Sequence, residues 1–204
     1  MRQLIYVPVI HSEADMGSMA EPLKKEFTEQ FGVHVWKEHG KAVDEMWEGI
    51  AKKLNGTAFN VSQVRIYQDG LPICGREMDI VRDVAAQGSQ NHRLVLSLVE
   101  RGARLEGSED AKLLLKECHY IKAITNEPDP KRKLRKAWWL RWPRKWLLTQ
   151  RDRFMARRIA QTLQDGETGI LFAGMTHRID KYLPKDIKVT YLISRLPFKR
   201  LRQK

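Results

Sequence analysis

The sequence predicts an α/β fold: an open, mostly parallel sheet with helices on both faces, carrying in addition a basic, Trp-rich helical arm. Three observations predict it. Five short apolar runs alternate with helix-length amphipathic stretches, the pattern of strands joined by crossover helices. Several of those runs are almost continuously Val, Ile and Leu, which suits strands covered on both faces. Positive charge is gathered late in the chain: from Lys131 to Arg158 there are twelve Lys and Arg against one acid, Asp152.

The first strand is expected over residues 4–10. It is too short, and too soon interrupted by His11, Glu13 and Asp15, to be a secretory leader. Helices follow over 19–31 and 41–54, then a second strand over 61–67. Helices over 78–86 and 91–101 lead to a third strand over 103–106. A helix opening at Ser108-Glu109-Asp110 runs to residue 123, and Gly102 and Gly166 sit where helices should end. Asn126-Glu127-Pro128-Asp129-Pro130 reads as a hinge into the arm. A long helical stretch, 132–163, is expected to break at Pro143, which lacks the N–H that a helix interior needs. The fourth and fifth strands are expected over 169–173 and 187–193.

With 204 residues, 42% hydrophobic and 30% charged, the chain reads as one globular domain, 1–204. The arm, 127–165, is inserted before the fourth strand. No apolar run reaches the ~18 residues that a membrane-spanning helix needs. Two distant cysteines, Cys74 and Cys118, exclude a zinc ribbon or a disulfide framework and point to the cytoplasm. The net charge of +12 is carried by the arm and by five bases between Arg195 and Lys204, leaving the body acidic.

In open α/β sheets, ligands bind beyond the carboxyl ends of the strands. Four successive strands each offer a His or a carboxylate there: His11, Glu13 and Asp15 after the first, Asp69 after the second, Glu106 and Glu109 at the third, and Gly174 then His177 after the fourth. Each alone has a plainer reading as a cap or turn residue. Together, two imidazoles with carboxylates suit a divalent metal such as zinc, manganese or iron, which could activate water and polarise a carbonyl. Glu109 or Glu13 would serve as ligand or general base, with Asp15, Asp69, Glu106 and Gly174 lining the pocket. His34, His39, His92 and His119 offer no such placement. Gly-x-Ser-x-Gly and the phosphate-cradling glycine loops are absent.

The helix Gln150-Arg151-Asp152-Arg153, the strand after it and Gly174-Met175-Thr176-His177 resemble the C-terminal half of the TraB/PrgY–Tiki family. The stretch from Arg101 to Glu109 is similar to that family's glutamate-bearing segment. His11 falls where the family has its first Gly-x-x-His, although Pro8 replaces the glycine. The resemblance implies an α/β fold shared with erythromycin-esterase-like and haem-binding ChaN-like proteins. It implies metal-dependent hydrolysis of a peptide or ester bond, with His11, His177 and Glu109 as metal ligands and Arg151 beside them. It also leaves haem or metal handling as a non-catalytic alternative.

The arm contains Lys131, Arg132, Lys133 and Arg135, then Trp138, Trp139, Trp142 and Trp146. Trp138, Trp142 and Trp146 share a helical face. That face could pack on the body. It could equally meet an anionic membrane surface, nucleic acid, or an acidic partner or second copy of the chain. A membrane-peripheral location is therefore the alternative to a freely cytoplasmic one. No known nucleic-acid-binding signature is present.

Overall fold

A computed structural model describes residues 1–57 and 59–192. All five strands are present and all are parallel: β1 (Arg2–Val9), β2 (Val64–Gln68), β3 (Arg104–Glu106), β4 (Thr168–Gly174) and β5 (Ile187–Tyr191), in the order β3-β2-β4-β1-β5. The expected fifth strand ends at residue 193, outside the described residues. Among the described residues six α-helices accompany them: α1 (Ala20–Phe31), α2 (Val33–Asn55), α3 (Glu77–Ala86), α4 (Gln90–Glu100), α5 (Ala111–Thr125) and α6 (Pro130–Thr162).

Alternation along each strand divides the core. Val7 and Val9 of β1, Val64 and Ile66 of β2, and Ile170 and Phe172 of β4 pack with Trp47, Ile50 and Leu54 of α2 and Val95 and Leu98 of α4. Leu4 and Tyr6, Tyr67, and Leu171 and Ala173 face the other way, onto Met155, Ala156 and Ile159 of α6. Helices therefore cover both faces, as the apolar runs require. Burial in α2 falls on Val43, Met46, Trp47, Ile50 and Leu54, the spacing of one helical face.

Three local expectations are corrected. Residues 61–63 form a 3-10 turn capped by Asn60, whose side chain accepts from the Ser62 N–H, so β2 starts at Val64. One helix of 23 residues replaces the expected 41–54 segment. It is separated from α1 by Gly32, whose φ of 91° few other residues adopt. Pro143 does not break α6, which runs unbroken for 33 residues. The hydrogen bond that Pro143 withholds would have gone to the carbonyl of Trp139. That residue is exposed, so water can satisfy the carbonyl.

Side-chain caps start α5 and α6, the second of them inside the hinge. Asp110 accepts from the N–H groups of Lys112 and Leu113 to start α5, and Asp129 accepts from that of Arg132 to start α6, with Pro130 in the first turn.

The loops after β2 and β3 are zipped together by backbone bonds from Ser108 and Glu109 to Leu71 and from Ile73 to Glu109. Gly107 makes this approach possible: a Cβ there would stand 2.9 Å from the Ile73 Cα and 3.1 Å from the Pro72 carbonyl oxygen. Gly107→Ala must push backbone apart and is expected to cost about 2 kcal/mol, read as a lowered melting temperature. An unchanged melting temperature would show that the loops separate without penalty.

Candidate functional site at the strand ends

The strand order explains the convergence. The three central strands, β2, β4 and β1, end side by side, with Val9 paired to Gly174 and Gln68 to Phe172. Two residues beyond Val9 stands His11, directly after Gln68 stands Asp69, and three residues past Gly174 stands His177. The Asp69 backbone N–H bonds the Phe172 carbonyl, fixing the loop to the sheet.

Asp69 is the centre of the cluster. One of its carboxylate oxygens faces His11 Nε2 at 3.5 Å, and the other faces His177 Nε2 at 3.3 Å. That second oxygen also accepts the Gly174 N–H at 2.6 Å. A side chain at 174 would crowd it: a Cβ there would lie 3.2 Å from Asp69 Oδ2 and 3.4 Å from His11 Nε2. Burial alone would raise the Asp69 pKa, but the charges of His11 and His177 and the Gly174 N–H hold it well below the usual carboxylate range.

His177 is clamped at both nitrogens. Its Nδ1 lies 2.5 Å from Asp152 Oδ1, and the other Asp152 oxygen accepts the Arg178 N–H at 2.9 Å. Burial disfavours its charge, yet the Asp152 bond and the Asp69 charge outweigh burial and raise its pKa. The negative charge of Asp69 likewise raises His11, against burial, to about 9. A bare imidazole nitrogen facing a carboxylate would set two lone pairs against each other, so both rings are held as donors towards Asp69.

Around this cluster opens a cavity of about 640 Å³, bordered on the polar side by His11, Asp15, Gln68, Asp69, Arg151 and His177. The facing wall includes Leu71, Ile80, Val84, Leu114, Ile121 and Leu148. A second hollow of about 520 Å³ lies beyond His11, against Glu13, Trp36 and Asp44; His11 and His39 border both.

The other candidates are distributed as follows. Asp15 is sequestered: it accepts from the Ser12 N–H at 2.7 Å, from Ser89 Oγ and from His92 Nδ1 at 3.2 Å, while the Gln68 amide meets His92 Nε2 at 2.9 Å. Glu13 pairs with Lys24 at 2.9 Å and borders only the second hollow. Glu106 is held by Arg65 and Arg158 and borders neither cavity. Glu109 is fully buried under the guanidinium of Arg151, which contacts both its oxygens, and also accepts the Gly70 N–H at 3.1 Å. Arg151 also reaches Glu117 on α5. Glu109 therefore braces the pocket from behind and has no oxygen aimed into it.

Asp152, His92, Gln68, Ser89 and Glu117 belong to this constellation and were not among the sequence candidates. Asp152 had a signal, as the single acid among the arm's twelve bases. His92 had none, because its helix carries it to Asp15 from far along the chain.

Two imidazoles and a carboxylate are a chemically suitable donor set for zinc, manganese or iron. As placed, however, both rings aim at Asp69 and not at a common centre. Among the described residues no group of three His, Cys, Asp or Glu side chains is arranged to hold a metal ion. The expected His11, His177 and Glu109 ligand set therefore does not fit a metal in this arrangement. Cys74 and Cys118 are both free thiols. Among the described residues no helix is long and apolar enough to cross a membrane. No protein-family model, curated protein or solved structure matches this chain.

Proposed function

We propose that the chain hydrolyses an ester or peptide bond in the strand-end cavity, with His11 as the catalytic residue. The observation that carries this reading is accessibility. The His11 side chain is 39% exposed, whereas Asp69, His177 and Asp152 are each at most 5% exposed. Of these four, only His11 is open to a substrate. Held as a cation by Asp69, it can polarise an acyl oxygen and give its proton to the leaving group as water attacks; the neutral ring then takes up the proton that the water sheds. Asp69 orients it, and His177 and Asp152 lock the second oxygen of Asp69; these are positioning residues. The apolar wall suits a substrate with a hydrocarbon portion beside its acyl carbon. The motif order resembling TraB/PrgY–Tiki proteins supports the class of bond.

The test is a panel of chromogenic esters and peptide amides. His11→Gln should lower kcat/KM at least ~100-fold. Because His11 acts as the acid, wild-type kcat/KM should hold through neutral pH and fall as pH rises through about 9. A wild type that cleaves nothing in the panel, or a His11→Gln variant as active as wild type, overturns the reading. Elemental analysis of protein purified without chelator is a further check: stoichiometric zinc, manganese or iron overturns the assignment of His11 as the electrophile.

A further inference from the structure

We propose that the outer face of the arm is a docking surface for an anionic lipid membrane. Every buried residue of α6 lies at or beyond Leu147 and α5 has none, so α5 and the first half of α6 form a helical hairpin that adds only Leu147 to the buried core, although Leu114, Glu117 and Ile121 of α5 wall the strand-end cavity. Within it, α6 turns one face to α5: Ala137, Leu140 and Pro143 are half-buried and Leu147 is buried. The exposed face carries Leu134, Trp138, Trp142 and Trp146, four residues apart, with Trp139 beside them. These are 74%, 61%, 65%, 56% and 67% exposed, respectively. At 1.5 Å per residue this row is about 18 Å long. The alternative that it packs on the body is thereby corrected.

Four exposed indoles, three of them in one row, are a large apolar face to leave in water. Between Pro130 and Trp146 it is flanked by eight Lys and Arg with no acid. Indoles at the headgroup level with bases reaching lipid phosphates are the combination that binds a helix in the plane of an anionic bilayer. A second copy of the chain would bring the same bases against themselves. A nucleic-acid platform needs open ring faces for stacking. Here Arg141 and Lys145 lie 5.3 and 5.6 Å from the Trp142 centroid, and Lys116 lies 5.4 Å from that of Trp146. Trp138 and Trp139 meet edge to face at 5.4 Å. Cation-capped rings leave little room for bases but suit an interface where those cations meet phosphates.

The experiment uses the full chain with vesicles of phosphatidylglycerol in phosphatidylcholine, of phosphatidylcholine alone, and with a single-stranded oligonucleotide. Wild type should sediment with the phosphatidylglycerol vesicles, less so as salt rises, and brominated acyl chains should quench its Trp emission. The triple variant Trp138→Ala, Trp142→Ala, Trp146→Ala keeps the net charge and removes only exposed rings, and circular dichroism checks its helices. Its affinity should fall at least ~10-fold. No vesicle binding, equal binding by the triple variant, or tighter Trp-dependent binding of the oligonucleotide overturns the proposal.

Discussion

Replacing Arg151 by methionine is expected to destabilise the protein by about 4 kcal/mol, because it strands a fully buried carboxylate. Glu109 has no solvent access and keeps only the Gly70 N–H once the guanidinium is gone. In the wild type, Arg151 Nε donates to Glu109 Oε2 at 3.0 Å, Nη2 to Oε1 and Nη1 to Glu117, so one side chain ties α6 to the β3–α5 loop and to α5. Burial opposes the charge of Arg151, and the Glu109 and Glu117 carboxylates more than restore it, raising its pKa above the ordinary value. The melting temperature should fall by about 10 °C. Arg151→Lys should recover little, since an ammonium cannot span both oxygens of Glu109 as the planar fork does. Adding Glu109→Gln to Arg151→Met should recover roughly half the loss by removing the stranded charge. If Arg151→Met melted with the wild type, Glu109 would have to be hydrated or otherwise paired, and the brace behind the pocket would not exist.

This brace also shows where reading the sequence reached its limit. The five strands were legible because their apolar runs are short, β-branched and bounded by Gly or polar residues. Parallel pairing followed from the helices between them. Register and order were not legible, and they decide the site: with β4 between β1 and β2, His11, Asp69 and His177 are neighbours, whereas β3 at the edge leaves Glu106 among arginines. A carboxylate at a strand end can face the crevice or the layer behind it, and nothing in the local sequence of Glu109 indicates which. Its direction is set by Arg151, 42 residues later. Asp152 was obscured in the same way, by a run of bases whose charge suggested a solvated helix. Burial on the α6 face that also carries Met155 and Ile159 turns it inward. Pro143 misled for the opposite reason: a rule about helix interiors assumes a carbonyl with no other partner, and on an exposed arm water can supply one.

Asp69→Asn should be the most damaging single change to catalysis. The amide keeps the shape and can still accept the Gly174 N–H, but it carries no charge, and its nitrogen must face one of the two imidazoles as a second donor. His11 then loses the group that lifts it to about 9 and should titrate near the ordinary histidine value of about 6.5. At pH 7 most of it would be neutral and misdirected, so kcat/KM should fall ~1000-fold or more, beyond the loss from His177→Gln, which disturbs only the far oxygen. The pH dependence of stability should change in a defined direction. In the wild type, the raised His11 pKa contributes stability that is fully present below about 6.5 and is lost as pH rises through about 9. The depressed Asp69 pKa contributes stability that is present above the unfolded value of about 3.9 and is lost as pH falls through its folded value. Both contributions vanish in Asp69→Asn, so its stability should be flatter across the alkaline range and across the acid range. Denaturant melts in steps of pH, with proton NMR of the histidine rings, measure each part. A variant in which His11 still titrates near 9 would mean that another group holds its charge, and the assignment of Asp69 as the hub would fall even if activity were lost.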